Sequence, residues 1–165
     1  MKLRKLKKED EKAYFRFLES WEEEKVIPSS ARFSRKTMTK YLKKLKRDET
    51  EQKDRVPAET YFLFLDNGEI AGAINCRYAL NDFLRDLGGH IGYGISPNYR
   101  GHHCAKWMVT QVFDYYKERN IDQIMLTADH SNTASIRTIQ ACGGILESSG
   151  KKENGESFGR YWITL

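Results

Sequence analysis

His90-Ile-Gly-Tyr-Gly-Ile-Ser-Pro-Asn-Tyr-Arg-Gly-His-His-Cys-Ala105 reads as a strand, a tight basic turn and the opening of a helix, and it runs straight into Lys106-Trp-Met-Val-Thr-Gln-Val-Phe113. The strand His90–Ile95 is closed by Ser96-Pro97, a pair that stops regular structure. From about Cys104 to Arg119, Trp107, Met108, Val112, Phe113 and Tyr116 give the following helix an apolar inner side. A helix start leaves several N–H groups unpaired and carries the positive end of the dipole, so a turn that feeds it can hold an anion. Arg100 stands at the entrance, Gly101 gives the backbone freedom, and Ala105 is small enough for close approach. Successive N–H groups in such a turn form an anion-binding concavity, here expected to take a pyrophosphate. The turn matches neither the G-x-x-x-x-G-K-S/T of nucleotide hydrolases nor the G-x-G-x-x-G of dinucleotide folds.

Working outward toward the N-terminus, Leu3–Leu6 reads as a short strand. A helix then starts at Lys8-Glu-Asp10, with Asp10 as candidate N-cap. Tyr14, Phe15, Phe17, Leu18 and Trp21 form its apolar stripe. Val26-Ile-Pro-Ser-Ser30 is a break. A second helix is predicted from near Ser34 or Thr37 to about Arg47, with Met38, Tyr41, Leu42 and Leu45 on one face and lysines on the other. Asp48 to Ala58 is a polar loop. Thr60–Leu65 and Ile70–Tyr78 flank Asp66-Asn-Gly68, a strong hairpin signal. Ala79 to Gly89 is a short helical or irregular link.

Working toward the C-terminus, Asn120 is a candidate C-cap. Gln123–Thr127 is an apolar, buried strand. Asp129–Asn132 is a turn, and Thr133–Gln140 a helix ended by Gly143-Gly144. Ile145-Leu146 and Phe158–Thr164 are the last strands, around a turn at Lys151–Gly155. The order predicts an α/β (α+β) fold in one domain over residues 1–165, with about seven strands in a mixed sheet and helices on both faces.

The composition fits a folded chain, with 39% hydrophobic and 12% aromatic residues. No apolar run approaches the roughly 20 residues of a membrane span. The basic N-terminus lacks the apolar segment of a signal peptide. Cys76, Cys104 and Cys142 are odd in number and at no metal-ligand spacing, which suits a reducing compartment, so a cytoplasmic location is expected. The net charge of +5 is uneven. Residues 1–55 carry 18 Lys and Arg against 11 Asp and Glu, and the remainder carries 10 against 12. Such an excess attracts anions, or forms the solvated face of helices.

The stretch Ile95-Ser-Pro-Asn-Tyr-Arg-Gly-His-His-Cys-Ala105 resembles the acetyl-CoA loop of the GNAT superfamily of N-acetyltransferases. That loop is an Arg or Gln, two variable residues, Gly, one variable residue, and Gly or Ala. Arg100 and Ala105 fall on its first and last positions. Asn132-Thr-Ala-Ser-Ile-Arg137 with Cys142-Gly-Gly144 resembles the family's later motif, and the element order agrees along the chain. The HIGYGISP, NTASIR and GG…RYWI segments look most like a bacterial branch of predicted acetyltransferases.

The resemblance implies an acetyl-CoA-dependent transfer of an acetyl group to an amine by direct attack, with acetyl-CoA as co-substrate and no metal. It implies that the backbone of Tyr93, Gly94 and Ile95 pairs with the pantetheine arm. It also implies that Arg100, Gly101, His102, His103, Cys104 and Ala105 cradle the pyrophosphate, and that Asn132 and Ser135 reach the arm. The acetyl carbonyl would lie near the Ile95 N–H. A homodimer is the assembly that it raises. Two positions depart from the pattern. His103 stands where the family has Gly, so either the turn is altered or His103 carries a positive φ. The family's frequent late-helix tyrosine has no counterpart among Thr138, Ile139 and Gln140.

A protonated amine must lose a proton before it attacks. His90, at the start of the central strand, and Asp129 and His130, at the end of the next, are the candidate acceptors, and the choice stays open. His102-His103-Cys104 is too contiguous to wrap a tetrahedral ion. Tyr161 and Trp162 are expected to be half core, half acceptor-site wall. Two other readings stand beside the enzyme: a catalytically silent sensor that binds CoA, and a nucleic-acid module using the basic helix Lys40–Arg47.

Overall fold

The computed structural model describes residues 1–32, 37–50, 53 and 55–165. Among the described residues, seven strands form two antiparallel sheets. β1 (Lys2–Arg4), β2 (Ala58–Phe64), β3 (Ile70–Arg77) and β4 (Ile91–Ile95) lie side by side in that order. β5 (Gln123–Asp129), β7 (Ser157–Thr164) and β6 (Ile145–Lys151) form the second sheet, with β7 in the middle. The hairpin between β2 and β3 turns at Gly68, whose φ of +83° is open to glycine at no steric cost.

The first sheet is covered on both faces, which is why β2 and β3 read as continuous apolar runs. On one face, α1 (Glu11–Glu19) and α2 (Met38–Asp48) bury Tyr14, Phe17, Met38 and Tyr41 with Trp21 against Phe62, Phe64 and Ala73. On the other, α3 (Cys104–Gln111), α4 (Phe113–Lys117) and α5 (Thr133–Ala141) bury Met108, Val109, Tyr116 and Ile139 against Leu63, Ile74, Ile91, Leu126 and Tyr161. Alternation along a strand sends neighbouring residues to the two cores. Each buried large side chain contributes on the order of 1.5–3 kcal/mol. No helix among the described residues is long and apolar enough to cross a membrane.

Some elements differ from expectation. The helix expected over Cys104–Arg119 is broken by a turn at Val112, and α4 restarts with Tyr115 N–H donating to Val112 C=O at 3.1 Å. Asp10 does not cap α1. Its carboxylate faces upstream, accepting the Lys7 N–H at 2.7 Å and both Arg4 guanidinium ends at 2.7 Å. β6 continues from Ile145-Leu146 to Lys151, paired with β7, and its later residues are too polar to have signalled a strand. Asn120 turns the chain with φ +56° after α4. The predicted helix start near Ser34, and part of the loop before β2, lie outside the described residues.

Candidate active site

β4 and β5 belong to different sheets and are joined by hydrogen bonds at His90, the residue before β4. Its N–H donates to Met125 C=O at 2.7 Å, and its Nδ1 accepts the Met125 N–H at 2.9 Å. Its own C=O accepts from the Arg77 N–H at 2.8 Å and the Tyr116 hydroxyl at 3.0 Å. Beyond His90 the strands have no ladder between them. Burial, with the charges of Arg85 and Arg77 adding to it, moves the ring down from 6.5 to about 4. The ring is thus a neutral acceptor for a main-chain N–H, a clamp at the closed end of the cleft. Nδ1 is therefore not free to take the proton assigned to His90 from the sequence, and a ring held at about 4 is a weak base near neutral pH.

The Ser96 N–H donates to Ala71 C=O on β3 at 2.9 Å. Strand residues alternate in the edge they serve, so Gly94 also faces β3, while Tyr93 and Ile95 turn N–H and C=O toward the gap. The Ile95 C=O is taken by Arg100 Nε at 3.2 Å. The Tyr93 hydroxyl reaches across to Ser135 Oγ on α5 at 3.0 Å. Asn132 caps α5, its Oδ1 accepting the Ser135 N–H at 3.1 Å. Its Nδ2 is exposed and has no partner among the described residues.

The turn after β4 has Gly101 at φ +82° and His103 at φ +58°, so His103 does carry a left-handed conformation. Histidine tolerates it better than most residues. Trp107 N–H is the first to find a helical acceptor, His103 C=O, at 3.1 Å. The N–H groups of Gly101, His102, His103, Cys104, Ala105 and Lys106 have no acceptor among the described residues. Six successive free donors at a helix start fit a pyrophosphate. The side chains of His102 and His103 are exposed, whereas Cys104 is buried and its thiol is pushed up by that burial.

Arg100 is otherwise engaged. Its two terminal nitrogens clamp Glu24 at 3.0 and 2.7 Å, and its guanidinium lies 5.6 Å from the Trp21 ring. Glu24 belongs to the segment after α1, which also ties to β4 through Ser20 Oγ and Ser96 Oγ, 2.6 Å apart. Ile27 covers β4 so closely that a Cβ on Gly94 would stand 2.5 Å from its carbonyl oxygen. Sequence reasoning missed Glu24, which reads as one of three surface glutamates after Trp21.

Asp129 and His130 lie at the far end of β5, about 13 Å along the strand from Met125. Asp129 is paired with Lys152 at 2.6 Å. His130 contacts Ser157 Oγ through Nδ1 at 3.0 Å and Ser149 Oγ through Nε2 at 3.4 Å. The three candidate acceptors are therefore not brought together. Tyr161 is core, and the Trp162 ring stands 6.2 Å from His90 with its Nε1 sealed and without a partner among the described residues. Among the described residues no three His, Cys, Asp or Glu side chains converge as a metal site. A concavity of ≈ 360 Å³ runs along α1 from Ala13 to Ser20 and reaches Asn98 and Tyr99.

A family model described as acetyltransferase (GNAT) domain matches residues 1–145. No curated protein matches in sequence. Among solved structures, a ribosomal L7/L12 alpha-N-protein acetyltransferase in complex with coenzyme A is similar at a TM-score of 0.70 and 15% identity, covering 99% of this chain and 93% of that one. A dodecameric spermidine N-acetyltransferase from Vibrio cholerae gives 0.68 at 16% identity, covering 99% and 92%. A GNAT-family acetyltransferase from Streptococcus pneumoniae gives 0.67 at 18% identity, covering 99% of both. At these identities the likeness is one of fold.

Proposed function

The chain belongs to the GNAT acetyltransferase family, and from that premise we propose that it is an acetyl-CoA-dependent N-acetyltransferase acting on a primary amine. The run of free N–H groups from Gly101 to Lys106, continuous with the unpaired edge of β4, carries the reading. In it, the turn would hold the pyrophosphate, Tyr93 and Ile95 the pantetheine arm, and Asn132 Nδ2 a polar group of that arm. When bound, acetyl-CoA supplies an activated thioester. The N–H groups of Tyr93 and Ile95 are the donors available to a carbonyl oxygen at the cleft.

An amine reaches the cleft mostly protonated near neutral pH and must shed a proton before direct attack. His90 serves as a clamp, Asp129 holds Lys152, and His130 faces the β6–β7 hairpin. We therefore assign the proton to water, with β4 and the turn orienting the reactants. The shortage of a base keeps the CoA-binding sensor as the second reading. The aromatic residue of the basic helix, Tyr41, is buried in the core, which leaves the nucleic-acid reading without a stacking platform. Three free cysteines are consistent with a cytoplasmic location.

Isothermal titration with acetyl-CoA tests the reading. Saturable binding is expected, and no binding at millimolar cofactor would sink it. Thiol release with a panel of amines then separates enzyme from sensor.

A further inference from the structure

Arg77, the last residue of β3, is a mostly buried guanidinium that forms no ion pair among the described residues. Its Nη1 donates to Gly88 C=O at 3.1 Å and Gly89 C=O at 3.0 Å, ending the link before β4. Two of its five N–H donors are thus used. The three on Nε and Nη2 have no partner among the described residues. Neither atom is fully sealed from solvent.

The space beside Nη2 is defined by a missing side chain. A Cβ on Gly92 would lie 3.4 Å from Arg77 Nη2 and 3.6 Å from the Pro28 Cβ. Gly92 is the second residue of β4, beside the His90–Met125 contact where the cleft begins. A methyl at Gly92 would thus fill the space between the guanidinium, the Pro28 ring and the β4 backbone in ordinary contact, and glycine leaves that volume open. It opens on the α1 side, opposite the Tyr93–Ser135 contact.

Arg85 and Arg77 both act on His90. In the same link, Asp86 is held by Arg160 and Asp82 is exposed, so neither reaches Arg77. A buried cation without a counter-ion is costly unless something supplies one. A carboxylate supplies it in bidentate geometry, whereas a second cation is repelled.

We propose that Arg77 is a specificity residue that receives the carboxylate of the acceptor, so that the acceptor is a small amine bearing a carboxylate close to the amino group, of the amino-acid class, and not a polyamine. The proposal rests on the acetyltransferase reading above. Arg77 supplies the two parallel N–H donors through Nε and Nη2. Gly92 leaves the room, and the amino group is held near the N–H groups of β4.

Thiol release from acetyl-CoA is measured with free amino acids, with the same compounds as amides, and with spermidine. The acids should have a KM lower than the amides by about tenfold or more, the range of a charge-assisted hydrogen-bonded pair. Arg77→Met should abolish that preference, and Arg77→Lys should restore part of it. Acetyl-CoA affinity, measured by calorimetry, should stay unchanged, which also reports that the variants fold. Gly92→Ala, which fills the pocket beside a flexible side chain, should raise the KM of the acids and leave that of the amides. Equal KM values for acid and amide in the wild-type protein would overturn the proposal. So would preferred acetylation of spermidine, or acetyl-CoA binding with no acetylation of any of these amines. Failure to bind acetyl-CoA at all would instead remove the acetyltransferase reading beneath it.

Discussion

A ring nitrogen that accepts a main-chain N–H must be unprotonated, and at His90 that requirement links stability to pH. The folded protein holds the ring at about 4, below its ordinary 6.5. In the unfolded chain the ring protonates first, so the stabilisation is complete above 6.5 and is lost as pH falls toward about 4. The free-energy gap between the wild-type protein and His90→Ala, measured by urea unfolding, should shrink by roughly 3 kcal/mol over that interval. A gap that stays constant with pH would show that His90 acts through packing alone. The sequence could nominate His90 by its place on the strand, but not its partner, since Met125 is 35 residues away. At His103 the sequence leaves two outcomes, an altered turn or a positive φ, because the helix start and the missing glycine are local, and the structure takes the second. The Glu24 clamp on Arg100, spanning 76 residues, was not.

Elements were legible where a period repeated, and less so where polarity hid a ladder, as along Ser148–Lys151 of β6. The helix α5 shows how one residue serves both element and site. Asn132 Oδ1 caps the helix, while Nδ2 has no partner among the described residues, and in the proposed function it meets the cofactor. Two substitutions separate these uses. Asn132→Ala removes both, and should lower stability by about 1 kcal/mol and weaken acetyl-CoA binding. Asn132→Asp keeps the capping oxygen and loses the amide donor, so its thermal midpoint should stay near wild type while acetyl-CoA affinity falls. If the aspartate variant binds the cofactor as tightly as wild type, Asn132 serves the helix only.

At the scale of the whole molecule, one ion pair joins the two halves on which a transferase of this kind depends. Arg100 belongs to the turn with the free N–H groups, and Glu24 to the segment that covers β4 from the α1 side. The carboxylate occupies the guanidinium as a phosphate would, and Arg100 in return holds Glu24 below the ordinary carboxylate range. Arg100 also keeps Nε on Ile95 C=O, so moving it disturbs β4 as well. The pair is exposed and therefore weak enough for a bound anion to displace. Glu24→Gln should then free Arg100 and strengthen acetyl-CoA binding by up to about fivefold, with the gain fading as salt rises. The same variant should raise the KM of the amine, because the covering segment loses its tie to the turn. Calorimetry in low and high salt, with amine kinetics on the same protein, reads both. If cofactor affinity is unchanged and only the amine KM rises, Arg100 serves the covering segment, and anion binding falls to the backbone donors of Gly101 to Lys106.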